Sequence, residues 1–147
     1  MKYILSVDNI LVDSLEVYHH GYFEAKPLPG IKEFLRNQLI LDNELLVICK
    51  NSKQKFFVTK NFPYIKDENI IVDDRICNQI DLVEDILGRP LSENDRLIDS
   101  PPHLAKLNNA NVVVAVNDAY FFDDAVEDYD FSRYQEIYKA TRSLETF

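Results

Sequence analysis

Five short apolar segments recur along the chain and are separated by amphipathic segments of helical length. The five are KYILSV from Lys2, ELLVICK from Glu44, ENIIVDD from Glu68, DRLIDS from Asp95 and NVVVAVND from Asn111. They are rich in Val, Ile and Leu and apolar on both faces, which is typical of parallel strands covered by helices on both sides. The sequence therefore predicts an α/β protein with three layers, Rossmann-like, around a central, mainly parallel sheet of about five strands.

The segments between these strands predict helices. They are GIKEFLRNQL from Gly30, SKQKFFVTKNF from Ser52, NQIDLVEDIL from Asn78, PPHLAKLNN from Pro101 and a closing DFSRYQEIYKATRSL from Asp130. Four apolar residues of the third helix fall on one face: Ile80, Val83, Ile86 and Leu87. Each strand would then be followed by a right-handed crossover.

Length, charge and cysteine content narrow the class of protein. A chain of 147 residues has the size of one domain, which we expect to span residues 1–147. The net charge of −9 argues against nucleic acid as a partner, because an acidic surface repels phosphate backbones. No apolar run reaches the ~18 residues of a membrane span, and no signal peptide is evident. We expect Cys49 and Cys77 to be reduced core thiols in a cytoplasmic protein.

Polar residues follow the predicted strands. At the five carboxyl ends stand Ser6 and Asp8, Lys50 and Asn51, Asp73 and Asp74, Asp99 and Ser100, and Asn117 and Asp118. In open α/β sheets ligands bind outside these ends. Carboxylates at four of the five ends favour a cation site or a phosphate-plus-metal site. The alternative is that Asp and Asn merely form turns there.

Four stretches, in order, resemble the motifs of haloacid-dehalogenase-like (HAD) phosphatases, and among them the 5'(3')-deoxyribonucleotidase group. They are SVDNILVDS, KPLPGIKEFLRN, LLVICKNS and NDRLIDSPPHL, and the resemblance runs from Tyr3 to about Tyr138. It implies a HAD-like fold and a magnesium-dependent phosphomonoesterase that acts on (deoxy)nucleotides.

The first motif of that family is only partly kept. The resemblance places Ser6 where the family has the aspartate nucleophile that forms an aspartyl-phosphate. Asp8 stands at the position of the general acid/base, Asn9 at that of a glycine, and Asp13 at that of a downstream aspartate. A carboxylate nucleophile is ionised at neutral pH, whereas a serine hydroxyl requires a base.

The other motifs also depart from the family pattern. Lys50 stands where a Ser or Thr is expected, and Arg75 is at best an offset substitute for the family's lysine. Of the paired acids in the last motif, Asp99 is kept as a weak metal ligand and the second is Ser100. We expect Lys50, Asn51 and Arg75 to bind ligand, and no cofactor to be required, with Mg²⁺ used only if the protein is active.

Lys50 suggests a specific hypothesis about the missing metal. Its ammonium would pair with Asp8 and Asp99 and take the place of the cation that otherwise relieves the repulsion between two carboxylates. The alternative is a solvated lysine at a strand end.

The segment that would hold a cap is short. Only residues 15–27 lie between the first motif and the Pro-x-Pro-Gly stretch, so we expect the cap to be reduced to a short segment and the pocket to be open. His19 and His20 are adjacent, so their side chains point in different directions and are not expected to bind a metal together.

Three functions remain open. The first is a degenerate 5'-nucleotidase-like protein, a pseudoenzyme that binds a small phosphorylated ligand or a protein partner. The second is a hydrolase with weak or rerouted phosphomonoesterase activity, with Asp8 as acid/base and Ser6 or water as the nucleophile. The third is a structural or interaction module that shares only the fold.

Overall fold

A five-stranded parallel sheet forms the centre of the protein. The computed structural model describes residues 1–77, 79–99 and 112–114. The strands are β1 (Lys2–Leu5), β2 (Glu44–Cys49), β3 (Ile70–Val72), β4 (Asp95–Asp99) and β5 (Val112–Val114). Their order is β3-β2-β1-β4-β5, and all neighbours pair in parallel. The α/β class and the five strands predicted from the sequence are confirmed.

The strand order places a crevice beside β1. After β1 the chain adds β2 and β3 on one side and then crosses over to add β4 and β5 on the other. Leu5 lies opposite Val47 of β2 and Ile98 of β4, so the carboxyl ends of these three strands lie side by side. Ligands of open α/β sheets bind where the order of strands reverses in this way.

Four α-helices are described. They are α1 (Ser14–Glu24), α2 (Ile31–Ile40), α3 (Ser52–Asn61) and α4 (Gln79–Leu87), and a short 3₁₀ turn, Asp67–Asn69, precedes β3. The predicted helices from Gly30, Ser52 and Asn78 correspond to α2, α3 and α4. The helix α1 was not predicted. The helices predicted from Pro101 and Asp130 lie outside the described residues.

Apolar side chains on the two faces of the sheet form two separate clusters. Tyr3 and Leu5 of β1 lie in the larger cluster, together with Phe34 of α2 and Phe57 of α3. Ile4 points to the opposite face, as alternation along a strand requires. There it belongs to a smaller cluster made with β2, β4 and α4. The sheet is therefore covered by helices on both faces, which gives the three layers predicted.

The face predicted for α4 is the one that packs on the sheet. Val83 is fully buried, and Ile80, Ile86 and Leu87 are partly buried against the same cluster. Leu82, outside the predicted set, is buried with them.

Both cysteines are free thiols, as predicted, but they differ in exposure. Cys49 is buried at the end of β2, and burial raises its pKa to about 12. The expectation that Cys77 lies in the core was wrong, because it follows β3 in an exposed loop.

Among the described helices, none has the length and apolar character required to cross a bilayer.

Candidate functional site

A tight loop at the end of β1 sets the position of Asp8. Asn9 adopts a left-handed backbone conformation with φ of 63°, and its N–H donates to the Val12 carbonyl at 2.7 Å. Its side-chain oxygen accepts from the Ser14 N–H at 3.1 Å. Asparagine tolerates this conformation better than most residues, so it can replace the glycine of the family motif. Asp8 itself forms an isolated parallel bridge with Val12.

Asp13, the downstream aspartate of the motif, is the N-cap of α1. Its carboxylate accepts from the Leu15 N–H at 2.9 Å. A cap of this kind satisfies one of the backbone donors that a helix leaves unpaired at its start. The geometry accounts for Asp13 as a structural residue that starts the helix above the strand ends.

Asp8 is joined to α1 and α3 by a chain of hydrogen bonds. The Tyr22 hydroxyl donates to Oδ1 of Asp8 at 2.5 Å and accepts from Nε2 of Gln54 at 2.7 Å. Oε1 of Gln54 accepts in turn from the Lys50 backbone N–H at 2.7 Å. Gln54 is only 2% exposed, so its amide depends on these partners. These hydrogen bonds therefore connect the residues that follow β1 to those that follow β2.

The Tyr22 phenol is held in its protonated, donating form. Burial is the largest cause that raises its pKa, and the hydrogen bond to Asp8 raises it further. Both causes disfavour a phenolate in this position, since it would be poorly solvated and next to a carboxylate. At neutral pH Tyr22 is therefore a donor to Asp8.

A kink in α1 brings Tyr22 to this position. Gly21 has φ of 76° and ψ of 165°, which are not helical values and which suit glycine. Beyond the kink, the Phe23 ring stacks on Phe56 of α3, with centroids 5.6 Å apart and an interplanar angle of 3°. Nζ of Lys60 donates to the Phe23 carbonyl at 3.0 Å. The short segment predicted to replace the cap is therefore a helix whose end is fastened to α3.

Ser6 lies beside β4. It is 8% exposed, and its backbone N–H is 3.5 Å from the Ile98 carbonyl. Asp99 follows Ile98 as the last residue of β4, so its backbone is next to Ser6. The side chain of Asp99 and all of Ser100 lie outside the described part of the chain.

The predicted ligand-binding residues do not all converge. The Asn51 side-chain oxygen caps α3 by accepting from the Gln54 N–H at 2.9 Å. Arg75 donates to Asp73 at 2.8 Å and to Asp85 at 2.5 Å, so its guanidinium is held at the end of β3. Arg75 lowers the pKa of Asp73, and Lys50 adds a smaller effect in the same direction.

Lys50 does not form the predicted ion pair with Asp8 within the described residues. Asp8 instead accepts from Tyr22, and the ammonium of Lys50 is near enough to Asp73 to lower its pKa. The other half of that hypothesis, a pair with Asp99, concerns a side chain that is not described. Ser6 and Asp8 follow β1, and Lys50 follows β2 at the same edge of the sheet. Arg75 belongs to a separate cluster of ion pairs with Asp73 and Asp85.

The described donors do not form a magnesium site. Magnesium requires near-octahedral oxygen ligands, with one or two protein carboxylates. Among the described side chains of residues 1–77 and 79–98, no group of three or more His, Cys, Asp and Glu is arranged to hold a metal ion. Asp8 supplies a single carboxylate, and one of its oxygens is taken by Tyr22.

Comparison with known proteins supports the fold class. The chain is similar to the class C acid phosphatase from Bacillus anthracis, with a TM-score of 0.55 and 15% sequence identity over 97% of this chain and 77% of that one. The two proteins therefore share a fold, the α/β sheet covered by helices on both faces. No family model matches the sequence, and no curated protein matches it. The narrower likeness to 5'(3')-deoxyribonucleotidases stays a prediction.

Two residues of the site, Tyr22 and Gln54, were missed in the sequence. Gly21, within a short segment rich in aromatic residues, is the one local signal of a helix that bends. Nothing local indicates that Tyr22 reaches Asp8, 14 positions earlier, because this depends on how α1 packs on α3.

Proposed function

We propose that this protein binds a small phosphorylated ligand at the carboxyl ends of β1, β2 and β4, and that it turns over phosphate esters poorly or not at all. It would be a degenerate relative of the HAD-like phosphatases, with deoxyribonucleoside monophosphates as the first ligands to test. The fold is common to this protein and an acid phosphatase, whereas the loss of activity is our inference.

The observation that carries the proposal is the engagement of Asp8. A general acid/base must reach the leaving oxygen or the attacking nucleophile within hydrogen-bond distance. One oxygen of Asp8 already accepts from Tyr22, and Tyr22 is fixed by the buried Gln54. Tyr22 thereby sets the orientation of the Asp8 carboxylate, and Oδ2 is the oxygen of Asp8 that remains for a substrate.

The residue at the nucleophile position weakens catalysis further. Ser6 carries a hydroxyl, which must lose its proton to attack phosphorus, and a phosphoserine is harder to hydrolyse than an acyl phosphate. A nucleophile of this kind normally has a base that is free to take the proton. Asp8, two residues away, has one oxygen already in use.

Binding can survive these losses. Lys50 lies at the end of β2 beside the crevice, is half-buried, and forms no ion pair with a described carboxylate. A lysine ammonium is a point charge that suits phosphate, so we assign it the role of the binding cation. Arg75 is unsuited to this role while it remains paired with Asp73 and Asp85.

Isothermal titration calorimetry with deoxyribonucleoside monophosphates and with inorganic phosphate tests the proposal. We expect saturable binding, weakened about tenfold in Lys50→Gln, which removes one charge from the site. Lys66→Gln is the matched control, because Lys66 is exposed and precedes the 3₁₀ turn before β3. Equal affinities for wild type and Lys50→Gln, or no binding of any phosphate compound, would contradict the proposal.

A further inference from the structure

A second feature lies between α1 and α3, next to Tyr22. A cavity of about 460 Å³ opens between the end of α1 and the start of α3. It is lined by Gly21, Tyr22, Phe23, Ser52, Lys53 and Phe56. Its volume lies in the range of small-molecule sites, and three of its six lining residues are aromatic.

The aromatic walls are exposed and packed against one another. Phe23 is 68% exposed and Phe56 is 45% exposed, yet their rings are stacked in parallel. The ammonium of Lys60 also lies over the Phe23 ring, 4.9 Å from its centroid. Exposed apolar rings that are ordered in this way offer contact area without a large cost in side-chain entropy.

The charge at this cavity is opposite to that of the protein as a whole. The chain carries a net charge of −9, but the cavity is lined by Lys53, and Lys60 lies beside it. Neither ammonium pairs with a carboxylate of the described residues, whereas the nearby Lys55 pairs with Asp67 at 3.1 Å. An ammonium without a counter-charge beside an apolar surface favours an anion that carries an apolar body.

We infer that this cavity binds a planar aromatic monoanion. The ring of the ligand lies against Phe56 and Phe23, and its anionic group meets the ammonium of Lys53. The interaction needs no phosphate chemistry and no residue of the loop after β1. Tyr22 of α1 connects the two places, because it lines the cavity and donates to Asp8. The inference thus goes beyond phosphate binding at the strand ends.

The test is calorimetric titration of the full chain with 2-naphthoate and with its neutral analogue 2-naphthalenemethanol. We expect a dissociation constant of ~0.1–1 mM for naphthoate, which is within the affinity that a ligand with so few atoms can reach. The neutral compound should bind more weakly. Phe56→Ala should weaken naphthoate at least fivefold. Lys53→Gln should weaken naphthoate about threefold and leave the neutral compound unaffected, which removes the preference for the anion.

Two matched variants serve as controls. Ile40→Ala removes an exposed apolar side chain from α2, and Lys66→Gln removes an exposed charge that does not line this cavity. Both should bind naphthoate as the wild type does. Absence of saturable binding up to ~5 mM, which is above the expected range, would overturn the inference. Equal affinity of the wild type and Lys53→Gln for naphthoate would also overturn the inference, because this substitution changes the surface and leaves the core intact.

The same titrations separate this inference from phosphate binding. Naphthoate carries no phosphate, so naphthoate binding without phosphate binding would support the cavity and contradict the proposed function. The reverse result would support the strand-end site and overturn the cavity.

Discussion

Removing one oxygen atom from Tyr22 tests whether the contact with Asp8 holds the site together. The substitution Tyr22→Phe keeps the ring, whose centroid lies 6.3 Å from that of Phe57. It removes the donor to Asp8 and the acceptor of Gln54 Nε2 at once. The packing of the aromatic ring stays the same, so the change in stability reports the polar contacts.

The expected loss in the free energy of unfolding is about 2 kcal/mol. A hydrogen bond to a charged group contributes ~1.5–3 kcal/mol, and a buried donor left without a partner costs ~1–3 kcal/mol. Gln54 is 2% exposed and bears the second cost in full, whereas Asp8 is only half-buried and water can replace Tyr22 there. The loss therefore falls at the lower end of the sum, and the melting temperature should fall by ~4–8 °C.

Urea unfolding followed by circular dichroism measures this loss, with Tyr18→Phe as the control. Tyr18 is on the same helix and 83% exposed, so its hydroxyl should contribute less than ~0.5 kcal/mol. A double-mutant cycle of Tyr22→Phe with Asp8→Ala should give a coupling energy of ~1 kcal/mol or more. Equal stability of Tyr22→Phe and Tyr18→Phe, with no coupling to Asp8, would refute the reasoning.

Three further predictions concern other parts of the chain. Arg89 lowers the pKa of the buried Asp95 to about 2, below its unfolded value near ~3.9. The resulting stability, roughly 2 kcal/mol, is present above about pH 4 and is lost as the pH falls through about 2. Urea unfolding of Asp95→Asn should therefore lack this acid-dependent loss. A pH profile of stability equal to that of the wild type would contradict the prediction. In the same assay Asn9→Ala should lower the free energy of unfolding by ~1–2 kcal/mol, because alanine is strained in the left-handed conformation and the acceptor for the Ser14 N–H is lost. Asn9→Gly loses the same acceptor without the strain and should cost less. Equal losses for the two variants would argue against the strain. Addition of 5 mM MgCl₂ should raise the melting temperature by less than ~1 °C. A magnesium site with a Kd of ~0.1 mM would instead add about 2.3 kcal/mol to the free energy of unfolding. A clear rise in the melting temperature would therefore show that a metal site exists.

Much of the fold was predictable because it depends on local patterns. Apolar runs in β1 and β2, and the periodic face of α4 around Val83, report directly which side chains are buried. Cys77 was misplaced because the strand before it ends at Val72, earlier than its apolar neighbours suggest. The helix α1 was missed because its segment lacks a continuous apolar face and none of its side chains is fully buried.

The site was predictable only in part. Ser6, Asp8 and Lys50 follow strands, and parallel strands bring their carboxyl ends to one edge, so their proximity follows from topology. The partner of Asp8 does not follow from topology, because it depends on the bend at Gly21 and on the packing of α1 against α3. An ion pair with Lys50 was the expectation for Asp8, and a neutral phenol donor takes that place.

Phosphate release from deoxyribonucleoside monophosphates, in the presence of magnesium, tests the central claim most directly. The wild type is compared with Ser6→Ala and Asp8→Ala at equal concentrations of folded protein. The account predicts that the wild type releases phosphate no faster than either variant. Turnover by the wild type that is lost in Asp8→Ala would contradict it, and would show that Asp8 acts on the substrate although Tyr22 holds its Oδ1.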